Sequence, residues 1–391
     1  MKPRVLFVLH LPPPIHGAST VGLRIRESEA VNAAFDARYI NLSTSESIAE
    51  IGRVGFHKFH VFAALLRSIR EEVCTFCPDL VYLTPSIGFP GVLKDWWVVR
   101  SLRRSGCHLV FHLHNKGTSD RCYARWLYRS LFKEADVILL SKRLYADIQD
   151  FVPWERVSVC PNGVLPVEPK QTWTGERPRL LFLSNLIPSK GLFVVLDACK
   201  KLKDRNVNYE CVFAGAPSDA CSEVAFRKAV AERGLDGFVH YVGRKTGTEK
   251  DRLFAEADVF VFPTFYPREC FPLVILEAMS AGLPVVTTPE GAIPDMVQDG
   301  VSGFLCPQQD VEKTAECLER LIKDPALRRS MGEEGRKVYR EKYGLDCFEN
   351  QLIASLRLFL GRRNPAVEQD GTTDDEGYLR NEDPSGRDPL A

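Results

Sequence analysis

Short β-branched and apolar runs alternate along this chain with longer stretches whose apolar residues recur at helical spacing, and that alternation limits the fold more than any other feature. The runs predict strands over residues 5–9, 39–42, 80–84, 108–113, 137–140 and 157–159 in the first half. In the second half they predict strands over 180–183, 209–214, 239–242, 259–262, 285–287 and 303–305. Most are continuous rather than alternating in polarity, as befits strands covered on both faces, so the expected class is α/β with parallel sheets between helix layers. A local echo points to two similar halves. Residues 133–141 and 255–263 both end a helical stretch and enter a strand through Ala-Asp-Val, at Ala135 and at Ala257. Each half is therefore expected to be one doubly wound domain.

The length fits that expectation, since 391 residues are long for one core and comfortable for two. The expected domains are residues 1–163 and 179–344, with 164–178, rich in Pro, Gly and polar residues, as the linker. From Asn364 the chain carries eight acids against Arg380 and Arg387 with few large apolar residues, and that acidic tail is expected to be disordered. Two such domains would face each other across a cleft at the carboxyl ends of their sheets, where a ligand would lie. Lys plus Arg equals Asp plus Glu at 51 each, so net charge excludes no partner. The 12 cysteines are scattered, many at apolar positions, which suits reduced thiols in a cytosolic protein better than a disulfide framework. Cys74 and Cys77 form a C-x-x-C with no second pair at zinc spacing. The N-terminal residues lead straight into the first strand without a signal-peptide pattern, and no apolar run reaches the roughly 18 residues that span a bilayer.

Chemistry concentrates in residues 263–289. Glu269 falls on a loop and Glu277 in the helix that follows, with seven residues between them. Pro272 suits the first helical turn, where its missing N–H has no partner to lose. Leu273 and Val274 then offer backbone N–H groups at the positive end of a helix, a ready anion site. Two carboxylates beside such a site suit a sugar carried on a nucleoside diphosphate, the acids accepting from hydroxyls and the helix start holding the phosphates.

This stretch resembles the Glu-x7-Glu signature of the family-four retaining glycosyltransferases. Four further motifs resemble theirs in the same order: residues 9–19 with Gly17, 111–115 with His114, 161–164, and 182–191 with Lys190. Together they cover roughly residues 4–345. The resemblance implies the GT-B architecture of two Rossmann-like domains, with a last helix (345–361) packing back on the first. It also implies a donor-binding second domain, an acceptor-binding first domain, and transfer with retention at the anomeric carbon. It gives His114 a contact with the donor sugar near the reacting carbon, Lys190 the charge of the departing diphosphate, Glu269 the transferred sugar and Glu277 the ribose. An arginine is usual in that family where this chain has Asn185, so either Lys190 does more or another cation, Arg244 or Arg268, helps. Glycines are usual at Cys270 and Pro272, which makes this loop stiffer. Phe271, Leu273 and Val274 complete the expected donor site.

Other residues leave alternatives open. His114 on its own reads first as a core histidine at a strand end, a reading that its place beside the Glu-x7-Glu stretch reverses; His112 shares its strand face, and His10 and His16 flank the glycine loop. Gly17 either lets a ligand approach the backbone or is a turn glycine. The loop lacks G-x-G-x-x-G, which argues against a dinucleotide-dependent oxidoreductase. No Asp-x-Asp precedes the tail, so a metal-independent reaction with no cofactor is expected. Residues 85–133 carry nine basic residues against Asp95 and Asp120, interleaved with Trp96, Trp97, Tyr123, Trp126 and Tyr128. That is either a patch for anionic lipid head groups or two amphipathic helices with core aromatics. Nucleic acid fits less well, because no recognisable module accompanies the charge. The expected activity is transfer of a sugar from a nucleotide sugar, UDP-linked in preference to GDP-linked, to a glycan or polyprenyl-linked acceptor. The expected location is the cytoplasm, peripheral to the inner membrane face. The alternatives are an epimerase or hydrolase of the same fold and a non-catalytic nucleotide-sugar-binding assembly partner.

Overall fold

The computed structural model describes residues 1–13, 17–43, 56–88, 91–118, 124–167 and 177–363. The expectations for His16, Arg121, Tyr123, much of the linker and the acidic tail lie outside them. The chain divides into two compact units, Met1–Pro161 with the segment from Phe348 onward, and Asn162–Cys347.

The first unit holds strands β1 (Arg4–Leu9), β2 (Asp36–Asn41), β3 (Leu80–Leu83), β4 (Leu109–Leu113), β5 (Asp136–Leu139) and β6 (Val157–Val159). They form one sheet in the order β2-β1-β3-β4-β5-β6, with every neighbouring pair parallel. The second unit holds β7 (Arg179–Leu183), β8 (Glu210–Ala214), β9 (Val239–Tyr241), β10 (Val259–Phe262), β11 (Val285–Thr287) and β12 (Gly303–Leu305), in the order β12-β11-β10-β7-β8-β9. Its ladders are parallel throughout. All twelve expected strands are present, and both units are doubly wound.

The cores follow from the continuous apolar runs. Phe7, Tyr82, Phe111 and Phe132 are fully buried in the first unit, and Phe182, Phe213, Phe226, Phe254 and Phe260 in the second. Burying each such ring contributes about 1.5–3 kcal/mol. Only β2 departs clearly from its expected bounds, beginning three residues early at Asp36. It is an edge strand with an exposed face, so Asp36 and Arg38 sit on the ladder without entering the core, and an apolar-run criterion passes over them.

The last helix, Leu345–Arg363, belongs mostly to the first unit. Phe348, Leu352, Leu356 and Phe359 make its buried stripe, and Ser355 Oγ shares a 2.8 Å hydrogen bond with Ser158 Oγ on β6. Helix Gly17–Glu27 presses against the end of β1 at Gly22, where a Cβ would lie 2.2 Å from the His10 carbonyl oxygen. Packing therefore requires glycine at 22. At Gly17 a Cβ would meet nothing within 4 Å.

Candidate functional site

In an open doubly wound sheet, ligands bind beyond the carboxyl ends of the strands, where the direction of winding reverses. In the second unit that switch point lies between β7 and β10. The loop leaving β7 carries Asn185 and Lys190, and the loop leaving β10 carries Glu269. The two loops are tied together: Phe265 N–H donates to the Ser189 carbonyl at 2.8 Å, and Thr264 Oγ1 donates to the same carbonyl at 3.5 Å. Buried Thr287 and Thr288 donate their hydroxyls to the carbonyls of Phe262 and Thr264, fixing the exit of β10 from below.

Lys190 and Glu269 meet directly. Lys190 Nζ donates to Glu269 Oε2, and Nζ also lies 4.6 Å from the centre of the Tyr266 ring. Glu269 is only 7% exposed, so the lysine offsets a carboxylate that would otherwise be costly to bury. Three glycines make this approach possible. A Cβ at Gly191 would lie 2.3 Å from the Pro263 oxygen, one at Gly215 1.8 Å from the Ser184 oxygen, and one at Gly291 2.4 Å from the Glu269 oxygen.

Helix Leu273–Ser280 starts directly after the Glu269 loop. Pro272 is its N-cap residue rather than its first turn, with φ −71° and ψ 113°. The Ile275 N–H bonds back to the Pro272 carbonyl at 3.1 Å, while Leu273 and Val274, half-buried, begin the helix with no carbonyl one turn earlier to receive their N–H groups. Phe271 packs its buried ring on Tyr343, at 5.7 Å between centroids. Glu277 is 6% exposed and pairs with Lys250, Nζ to Oε1 at 2.6 Å.

Asn185 points its Oδ1 at the Ala216 N–H, 3.4 Å away, and so joins the loops after β7 and β8. This neutral tie is one physical use for an amide at that position. Arg244, just beyond β9, and Arg268, beside Glu269, are exposed and make no ion pair among the described residues. Sequence reasoning missed Lys250 and Tyr266. Lys250 sits in the run Glu249-Lys250-Asp251-Arg252, which reads as a solvated helix face.

Residues 167–338 match the family model described as glycosyl transferases group 1. The second unit is a group 1 glycosyl transferase domain. The chain is 31% identical over 208 residues to the amylovoran biosynthesis glycosyltransferase AmsK of Erwinia amylovora, covering 51% of this chain and 50% of that protein. The chain spans about half the length of the curated relatives it matches. Among solved structures it is similar to sucrose-phosphate synthase from Thermosynechococcus elongatus, with a TM-score of 0.74 at 19% identity over 93% of this chain and 100% of that one. It is also similar to Anabaena Alr3699/HepE in complex with UDP and glucose, with a TM-score of 0.70 at 18% identity over 91% and 100%. At those identities the likeness establishes the fold, the GT-B architecture that the motifs implied.

In the unit preceding the glycosyl transferase domain, His114 lies one residue past β4 and is half-buried, its ring 4.3 Å from that of His112. His112 is fully buried with Nδ1 2.6 Å from the Tyr82 hydroxyl. Burial, and secondarily the neighbouring His114, push the His112 imidazole well below its usual pKa, so it is a neutral core group. His114 is the member of the pair at the strand's edge. Gly17 opens its helix exposed, with no packing demand on its size.

The basic segment divides between both readings offered for it. Tyr128 and Phe132 are core residues, and Arg103 caps helix Arg125–Phe132 by donating to the carbonyls of Ser130, Leu131 and Lys133. Trp97 and Trp126, in contrast, are 50% and 63% exposed on either side of Trp96, among exposed Arg100, Arg104, Arg125 and Arg129.

Proposed function

We propose that this protein is a retaining glycosyltransferase that moves a sugar from a nucleoside diphosphate sugar, UDP-linked in preference to GDP-linked, to a glycan or polyprenyl-linked acceptor. The observation that carries the reading is the convergence, at the switch point of a group 1 glycosyl transferase domain, of the Lys190–Glu269 pair and the start of helix Leu273–Ser280. The helix start would hold the diphosphate, Glu277 the ribose hydroxyls and Glu269 the sugar hydroxyls. When the bond from the anomeric carbon to the β-phosphate oxygen breaks, its electron pair stays on the phosphate. Lys190 would exchange its carboxylate partner for that growing charge, the kind of preorganised electrostatic stabilisation that dominates such steps. In the retaining course the acceptor hydroxyl attacks from the face the phosphate leaves and passes it its proton. His114 keeps the sugar contact that the resemblance assigns, and Lys190 with the helix start serves in place of a divalent ion.

Incubation with a panel of UDP- and GDP-linked sugars tests this. We expect slow nucleotide release alone and much faster release with a glycan or polyprenyl phosphate acceptor, the product keeping the donor's anomeric configuration. Altered sugar without nucleotide release would make the protein an epimerase, release that no acceptor accelerates a hydrolase, and binding without turnover an assembly partner.

We also place the protein in the cytoplasm at the inner membrane face. No helix among the described residues is long and apolar enough to cross a membrane. The exposed tryptophans and arginines supply instead a surface for anionic head groups, each arginine near such a surface contributing about 1 kcal/mol. Trp97→Ala with Trp126→Ala is expected to cut co-sedimentation with phosphatidylglycerol vesicles about tenfold or more, and Arg100→Glu with Arg104→Glu likewise. Undiminished sedimentation of both variants would remove the patch from membrane contact.

A further inference from the structure

The Lys250–Glu277 pair is costly where it stands. Lys250 lies within the first turn of helix Gly247–Glu256, where a cation opposes the helix dipole, and its side chain is only 24% exposed. Ordering a lysine side chain loses rotamer freedom, and a buried ion pair adds little net stability over an apolar one. Other charges near this helix pair locally: Lys245 with Glu249 at 2.8 Å and Arg252 with Glu256 at 2.5 Å, each four residues apart. Lys250 instead reaches from the helix that enters β10 to the helix that follows it. Its ammonium takes one carboxylate oxygen, Oε1, and leaves Oε2 as the acceptor.

We propose that Lys250 is a positioning residue for nucleotide binding: it fixes one oxygen of Glu277 so that the other is presented to the ribose hydroxyls. The inference rests on the reading of Glu277 given under the proposed function. It explains why a buried carboxylate in the second turn of the helix carries a lysine from a different helix. Without that clamp the carboxylate would keep its burial cost and lose its fixed direction, so a hydroxyl would find the acceptor misaimed.

Calorimetry on the full chain with UDP and with 2′,3′-dideoxyuridine diphosphate isolates this role, because a general weakening of the site lowers both affinities together. The wild type is expected to bind UDP about 10-fold more tightly than the dideoxy analogue, a preference typical of a hydrogen bond to a charged acceptor. Lys250→Met should bring that ratio close to one with most of the loss in UDP affinity, and Lys250→Arg should keep it. Adding Lys250→Met to Glu277→Gln should cost no further discrimination. A Lys250→Met protein that keeps the wild-type ratio overturns the proposal, as does one whose two affinities fall in parallel. A wild type that binds both ligands equally sinks this inference and leaves the nucleotide site standing. One that binds neither ligand brings down the UDP donor-site reading itself.

Discussion

Lys190→Ala is expected to turn over donor and acceptor about 10²–10³-fold more slowly than the wild type, the usual cost of removing one preorganised charge-stabilising donor. Nucleotide affinity should fall less than tenfold, because the helix start and Glu277 still hold the nucleotide. The split follows from where the lysine sits. Its ammonium is engaged with Glu269 and lies over Tyr266, so in the ground state phosphate competes for a cation already in use. Only when the anomeric bond breaks does the phosphate carry enough charge to win that competition outright. Lys190→Arg, which keeps the charge but changes its geometry, should recover part of the rate. Steady-state kinetics with varied donor separates the two terms. A turnover number within a factor of two of wild type, at unchanged melting temperature, would remove Lys190 from the chemistry.

The fold was legible because parallel strands buried on both faces need no alternation, and most of the twelve runs are continuously apolar. Where a strand lay at an edge the signal weakened: Asp36 and Arg38 belong to β2 by backbone pairing alone. The site was legible in part. Glu269, Glu277 and Lys190 stand in motifs whose spacing marks them, and the structure unites Lys190 with Glu269. Lys250 was hidden among four consecutive charges, since a sequence does not say which side chain of a helical run turns inward. Charge counting had a similar blind spot at Arg103. It was counted into a basic face, yet its guanidinium is taken up by three carbonyls at the end of a helix. Burial there lowers its pKa from the usual value, the reverse of a solvated arginine.

Glycines show the same division between what a pattern reveals and what packing demands, and they carry the second large effect. Gly291→Ala is expected to destabilise the second unit by about 3 kcal/mol and lower its melting temperature by roughly 6–12 °C. Two costs combine. Gly291 has φ +56°, a left-handed conformation that other residues adopt at a penalty. Its missing Cβ would also lie 2.4 Å from the Glu269 oxygen and 2.9 Å from that of Cys270. Those are backbone atoms and cannot rotate away. The Ala292 N–H already bonds the Cys270 carbonyl at 2.9 Å, so relief must come from moving the loop that carries Glu269. Activity should therefore fall further than the lost stability accounts for, even well below the melting temperature. Gly17→Ala is the matched comparison, with an unstrained backbone and open space around the added methyl. Its melting temperature should hold within about 2 °C, so any loss of turnover there would report a ligand that approaches the backbone closely. If Gly291→Ala melts with the wild type and keeps its rate, the Glu269 loop is not clamped by this contact, and the stiffness attributed to it must come from Cys270 and Pro272 instead.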